Sequence, residues 1–152
     1  MSTATLNVTT VKADFPLLGR EVNGHPIVYL DSGATSQKPR QVLDALDRYY
    51  EEINANIHRG AYLIAEKATT AVEDSRAALA RFVGASAAEE IVFTKNATES
   101  INLVAHSWGR TNLSEGDVIL LTTLEHHANI VPWQQLAAER GVVIRWIPLD
   151  DD

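Results

Sequence analysis

The chain has 152 residues, of which 45% are hydrophobic and 22% charged, as expected for one globular domain. Thirteen Lys and Arg against 20 Asp and Glu give a net charge of −7, which argues against partners such as nucleic acid or an anionic membrane surface. The absence of Cys excludes a disulfide or a thiol nucleophile within these residues. The sequence shows no membrane-spanning run and no signal peptide, so we expect a cytoplasmic protein.

The N-terminal part of the chain predicts helices joined by turns. Residues 1–13 show no clear period, and we expect a flexible arm there. A short apolar strand is predicted at 27–30, because turn-forming residues follow it. Two helices come next, each with apolar residues at steps of three and four: 39–53 and 62–83. Gly84 suits the C-terminal cap of the second helix.

From residue 85 onward, strands alternate with helices. The predicted strands are 91–94, 117–122 and 142–147, and the predicted helices between them are 98–111 and 130–140. This alternation indicates an α/β fold with a mostly parallel sheet and flanking helices. Three strands are too few to complete such a sheet. We therefore expect a fragment made of a flexible arm, an N-terminal helical segment and the first part of a larger α/β domain: 1–13, 14–84 and 85–152.

The loop Lys95-Asn96-Ala97-Thr98-Glu99 lies between the first of these strands and its helix. Ligands of an open parallel sheet bind at the carboxyl ends of the strands, and the free N–H groups of a helix start attract anions. Together with the Thr98 hydroxyl, this indicates a phosphate site. For this loop taken alone, an ordinary helix cap made by Asn96 or Thr98 is the commoner explanation.

A second loop, Glu125-His126-His127-Ala128-Asn129, follows the next strand. Adjacent histidines are typical of zinc ligands, but neighbours on an extended loop point apart and no third ligand is evident, so we expect no metal. One imidazole instead suits stacking on an aromatic ligand, or it only caps the following helix. The two loops together predict a phosphorylated aromatic cofactor, a description that fits pyridoxal 5′-phosphate.

Two further segments are open to interpretation. In His58-Arg59-Gly60, the arginine suits a carboxylate clamp and the glycine a sharp turn, although a surface pair between Arg59 and an acidic residue is as simple. The segment 30–35, which contains Ala34, is either a plain turn or a wall of small residues beside a substrate.

Four motifs occur in the order LDSGATSQKP, NIHRGAY, IVFTKNATESINLVA and LEHHANIVPW. This set resembles the N-terminal part of the cysteine desulfurases of the class V aminotransferase family, most closely their SufS-like group II branch. The resemblance implies a fold type I (aspartate-aminotransferase-like) enzyme that uses pyridoxal 5′-phosphate and is a homodimer when full length. It also implies conversion of L-cysteine to L-alanine and a protein persulfide, whose sulfur passes to an acceptor protein of the Suf system for iron–sulfur cluster assembly.

Carried over by position, the resemblance implies that Ala97 and Thr98 hold the cofactor phosphate and that His126 stacks on the pyridine ring. Ala34, His58 and Arg59 match segments that line the family's active-site entrance. The family's cofactor-binding Lys, its ring-nitrogen Asp and its persulfide Cys match none of these 152 residues, so we expect the chain alone to be inactive. The alternatives are another class V enzyme, such as an aminotransferase or a selenocysteine lyase, and a non-catalytic α/β binding module.

Overall fold

The computed structural model describes residues 6–149, which divide into two compact units after Ile91. The helices are α1 (Val8–Ala13), α2 (Arg40–Arg48), α3 (Leu63–Val83), α4 (Ala97–Val104), α5 (Arg110–Asn112) and α6 (Val131–Arg140). The strands are β1 (Glu21–Val22), β2 (His25–Pro26), β3 (Val118–Thr122) and β4 (Val143–Ile147). Within the described part of the chain, no helix has the length and apolarity that a membrane crossing requires.

The start of the first unit is more ordered than the sequence indicates. Asn7 caps α1 by accepting a hydrogen bond from the backbone N–H of Thr10 at 3.1 Å, a contact that stabilises a helix start. The expectation of an arm without regular structure is therefore corrected for α1, which is too short to show a period. Residues 1–5, which complete the predicted arm, lie outside the described residues.

The strands β1 and β2 form an antiparallel hairpin that the sequence analysis missed. Its turn is Asn23-Gly24, whose φ angles of 54° and 75° are those of the favoured two-residue hairpin turn. The strand predicted at 27–30 does not form. Its first residue, Ile27, still donates its N–H to the Arg20 carbonyl at 3.1 Å, but within the described residues the segment does not continue as a strand after Ile27. The Tyr29 hydroxyl donates to the backbone carbonyl of Asp31 at 3.1 Å.

The two long helices of the first unit agree with the predictions. Pro39 directly precedes α2, and the helix continues as a wider π-type turn at Tyr49–Ile53. This turn packs against α3, which buries small side chains: Ala65, Ala68 and Ala80. Gly84 ends α3 in the left-handed conformation with φ 74°, which confirms the predicted cap.

The segment after Gly84 belongs to the first unit, although the sequence analysis places its boundary at residue 84. The backbone N–H of Ala85 donates to the Ala80 carbonyl at 2.9 Å, and the turn Ala88–Glu90 packs on α3. The Arg76 guanidinium donates to the Ile91 carbonyl. These contacts tie residues 85–91 to α3, which explains the division after Ile91.

The second unit is built on the parallel pair β3 and β4. Val118 pairs with Val143 and Thr122 with Ile147, so the strands predicted at 117–122 and 142–147 are confirmed. The core of this unit includes four buried apolar residues: Ala105, Leu121, Leu136 and Val142. At Gly109 an added Cβ would lie 2.8 Å from Leu136 Cδ2, so a larger residue there would force the Leu136 side chain to shift.

The strand predicted at 91–94 does not form in the structure. The segment is apolar, as a buried strand would be, but no described segment pairs with it. Val92 is accordingly 65% exposed. The helix predicted at 98–111 does form. It runs through α4, a π-type turn at Ala105–Gly109 and α5.

Candidate functional site

The loop before α4 is capped by its own side chains. Asn96 Oδ1 accepts a hydrogen bond from the Glu99 backbone N–H at 2.9 Å, and Glu99 Oε2 accepts one from the Lys95 N–H at 2.6 Å. Reciprocal bonds of this kind satisfy helix-start donors that otherwise lack partners. The helix-cap interpretation is confirmed, and the capping residue is Asn96 rather than Thr98.

This cap leaves a group of donors free. The first hydrogen bond along the helix comes from the Ser100 N–H to the Asn96 carbonyl, at 3.1 Å, so the N–H groups of Ala97 and Thr98 have no partner in the helix. The Thr98 side chain is exposed, and no described residue hydrogen-bonds its hydroxyl. Two N–H groups and one hydroxyl are therefore available at this helix end.

The charges around these donors nearly cancel. Lys95 Nζ lies 3.6 Å from Glu99 Oε1, and the Lys95 side chain is 84% exposed, where an ion pair contributes little. Attraction of an anion would therefore come mainly from the oriented N–H groups and the helix dipole.

His126 is the cap of the second loop. Its Nδ1 accepts a hydrogen bond from the Ala128 N–H at 3.1 Å, at the start of the short turn His127–Asn129. An imidazole nitrogen that accepts carries no proton, so the neutral ring is protonated on Nε2. The interpretation that an imidazole caps the following helix is wrong, because Ile130 precedes α6 without a side-chain capping bond. His126 caps the short turn instead, and no described residue hydrogen-bonds its Nε2.

The two histidines do not point apart as the sequence analysis expects. Their ring centroids lie 6.0 Å apart and their planes are nearly perpendicular, at 86°. The turn that begins at His127 ends the alternation of side chains that an extended chain would give. Among the described residues, no cluster of three His, Asp or Glu is arranged to hold a metal ion.

A chain of side-chain hydrogen bonds supports this loop, and the sequence analysis missed it. Glu125 accepts from the Thr122 hydroxyl and from Asn129 Nδ2, both at 2.9 Å. Asn129 Oδ1 in turn accepts from Trp133 Nε1 at 2.9 Å. The bond from Asn129, followed by that from Thr122, lowers the pKa of Glu125 below its ordinary value. The sequence does contain a signal for these bonds. Glu125, Asn129 and Trp133 are spaced four residues apart, which is the spacing of neighbours on one helical face.

The two loops belong to adjacent elements of the second unit. The helix α4, which starts at Ala97, packs against the turn His127–Asn129. The free donors of one loop and the exposed imidazole of the other are therefore carried by elements in contact.

Ala34, His58 and Arg59 lie in the first unit. The Ala34 N–H donates to the Asp31 carbonyl at 3.2 Å, as in a plain turn. His58 has a left-handed backbone, with φ 61°, and its N–H donates to Thr69 Oγ1 at 3.0 Å.

The segment around Arg59 differs from its sequence-based interpretation in two ways. His58, and not Arg59, lies beside a carboxylate, with Nε2 at 3.4 Å from Glu73 Oε1. Arg59 is exposed and makes no ion pair within residues 6–149. Gly60 is needed for close packing and not for a left-handed turn. A Cβ there would collide with Ala65 and lie 2.8 Å from the Tyr62 ring.

The aminotransferase class-V family model matches residues 28–152. The chain belongs to this family. A probable cysteine desulfurase from Synechocystis sp. is 56% identical over 142 residues, which cover 93% of this class-V chain and 34% of the relative. The chain thus spans about a third of that relative's length.

Solved structures give the fold of this class-V chain. The apo cysteine desulfurase of Thermococcus onnurineus NA1 matches with a TM-score of 0.82 and 40% identity, over 99% of this chain and 36% of that one. C-DES with glycine covalently linked to its pyridoxal phosphate cofactor matches with a TM-score of 0.69 and 27% identity, over 91% and 33%; C-DES is also described as a cystine C–S lyase. The implied family and fold type I architecture are confirmed.

Proposed function

We propose that residues 1–152 are the N-terminal part of a pyridoxal-phosphate-dependent cysteine desulfurase, which converts L-cysteine to L-alanine and a protein persulfide. The observation that carries this proposal is the 56% identity to a probable cysteine desulfurase over 93% of the chain. The activity would belong to the longer protein, because the chain matches only 34% of that relative.

The free groups of the second unit fit the cofactor. The N–H groups of Ala97 and Thr98 and the Thr98 hydroxyl would bind the phosphate, since helix starts bind such anions. The exposed imidazole of His126 would lie against the pyridine ring. When bound, pyridoxal phosphate withdraws electrons from the substrate Cα.

The chain's own residues would orient the cofactor and the substrate. His126 holds its ring proton on Nε2, because Nδ1 accepts from the Ala128 N–H, so Nε2–H is the group available to donate a hydrogen bond to the cofactor or the substrate. Arg59, which has no carboxylate partner among the described residues, suits the carboxylate of an amino acid substrate. We propose a role toward the substrate for Ala34 and His58 as well.

The remaining parts of the proposal concern groups outside this chain. Because residues 1–152 contain no Cys, the attacking thiolate would come from elsewhere in the protein. We further propose a cytoplasmic homodimer of the SufS-like branch, whose persulfide passes to a Suf acceptor protein for iron–sulfur cluster assembly. The second unit, which begins at Val92, would be the first part of its large cofactor-binding domain.

The decisive experiment supplies L-cysteine to the complete protein that contains residues 1–152 and measures alanine and persulfide together. We expect equal amounts of both, and we expect residues 1–152 alone to release no alanine. A second candidate is a cystine C–S lyase, which the similarity to C-DES favours. Pyruvate formed from cystine, with no alanine from cysteine, would replace the desulfurase by this lyase.

A further inference from the structure

We propose that Glu125 is a positioning residue for His126, selecting which ring nitrogen of that imidazole carries the proton. The proposal deepens the proposed function, on which it rests for the role of His126 toward the cofactor. The arrangement of the loop itself is a property of this chain's own residues.

Glu125 connects the two ends of the loop that carries His126. Thr122, the last residue of β3, donates to one carboxylate oxygen, and Asn129, the last residue of the short turn, donates to the other. Each bond is 2.9 Å long. The carboxylate therefore ties the end of a strand in the core sheet to the turn.

The orientation of the Asn129 amide is fixed from the other side. Trp133 Nε1 can only donate, and it points at Asn129 Oδ1 at 2.9 Å. The amide nitrogen of Asn129 must then face Glu125, where only an acceptor satisfies it. An ionised carboxylate is such an acceptor, and the lowered pKa of Glu125 keeps it in that form.

Holding Asn129 also holds the turn against His126. The Asn129 N–H donates to the His126 carbonyl at 2.8 Å, and this closure directs the Ala128 N–H toward His126 Nδ1 at 3.1 Å. The occupied Nδ1 leaves the proton of the neutral ring on Nε2. Glu125 thus acts on the imidazole through the turn, without touching it.

The test measures the two nitrogens of His126 directly, by nitrogen-15 NMR of histidine-labelled protein without cofactor. The signal of His126 is assigned by its loss in His126→Asn. We expect the Nε2–H tautomer to dominate, and the ratio of Nε2–H to Nδ1–H to fall about fivefold in Glu125→Ala, the equivalent of one neutral hydrogen bond. Glu125→Gln, which can still accept from Asn129, should restore most of the ratio.

Glu139→Ala is the matched control. Glu139 also accepts two side-chain hydrogen bonds in the second unit, both from Arg110, but it lies at the far end of α6. We expect this variant to leave the His126 ratio unchanged. An equal fall in Glu139→Ala and Glu125→Ala would mean a general loss of stability and would overturn the proposal.

A second variant covers the case in which Glu125→Ala does not fold. Trp133→Phe removes the donor that fixes Asn129 and keeps an aromatic ring in place, so the ratio should fall in the same direction by a smaller factor. An unchanged ratio in whichever of the two variants folds contradicts the proposal. Because the measurement uses cofactor-free protein, a failure to bind pyridoxal phosphate would instead count against the proposed function alone.

Discussion

The loops 95–99 and 125–129 each begin a helical segment, but they differ in which side chain makes the capping bond and which one keeps a free polar group. In the first loop Asn96 caps the helix, while the neighbouring Thr98 hydroxyl stays free. In the second loop His126 itself is the cap, and the same ring presents its free Nε2. The cap and the free donor thus belong to different side chains in the first loop and to the same side chain in the second.

The two loops also use their carboxylates differently. Glu99 accepts a backbone N–H of its own loop, whereas Glu125 accepts the side-chain donors of Thr122 and Asn129 and so links β3 to the following turn. The first arrangement exposes backbone donors, which suit a phosphate. The second fixes a ring, which suits an aromatic partner. This difference is tested by substitutions that remove the capping bond and the proposed ligand contact one at a time.

The largest effect is expected for His126→Ala, which removes cap and ring together. In the complete protein, alanine formation from L-cysteine should fall about 100-fold, because the variant loses the ring contact, worth about 1 kcal/mol, and the hydrogen bond that Nε2–H donates, worth about 1.5–3 kcal/mol when the acceptor is charged. His127→Ala is the control, because the His127 ring makes no hydrogen bond within the described residues. Equal losses in both variants would contradict the distinct role of His126.

Thr98→Val should weaken cofactor binding without weakening the fold. The change keeps the side-chain shape and removes a hydroxyl that caps nothing, so the dissociation constant of pyridoxal phosphate should rise about ten- to a hundredfold, the range for a hydrogen bond to a charged group. Fluorescence titration measures the constant, and urea unfolding checks stability. An unchanged constant would assign Thr98 to the helix start alone.

Asn96→Ala should show the opposite pattern. Loss of this cap should lower the free energy of unfolding by about 1 kcal/mol, as measured by urea denaturation. Cofactor affinity should change less than in Thr98→Val. A larger affinity loss in Asn96→Ala than in Thr98→Val would mean that cap and phosphate contact are not separable in this loop.

The smallest effect concerns pH and the second loop. Because the pKa of folded Glu125 is lowered, its carboxylate stabilises the fold above the ordinary pKa of about 4.5, and this contribution is lost as pH falls through the lower folded value. The difference in Tm between the wild type and Glu125→Gln should therefore shrink as pH falls from 7 to 3. A difference that grows on acidification would reverse the assigned sign.

Local signals in the sequence predict much of this fold. The periodic apolar positions of α3 and the glycine that follows it fix both the helix and its end, and the apolar runs at β3 and β4 fix a parallel pair. The segment 91–94 shows the limit of such signals. Apolarity indicates that a segment is suited to burial, but a strand also needs a partner, and partner positions are set by tertiary structure.

The sequence predicts which two loops form the candidate site, but it does not predict the hydrogen bonds within them. The small polar residues before a helix indicate Thr98, and the paired histidines indicate one stacking imidazole, which the family resemblance then identifies as His126. It does not indicate that the His126 ring caps its own turn, because that depends on the local backbone. The bond from Asn129 to Glu125 was likewise missed, although its i, i+4 spacing is readable.

The most direct test of the two-loop account compares pyridoxamine 5′-phosphate with pyridoxamine, which share a ring and differ in the phosphate. Their dissociation constants are measured with the wild type, Thr98→Val and His126→Ala of the complete protein. We expect Thr98→Val to weaken only the phosphorylated ligand and His126→Ala to weaken both by a similar factor. Equal weakening of both ligands by Thr98→Val, or weakening of only the phosphorylated one by His126→Ala, would contradict the assignment of phosphate and ring to these loops.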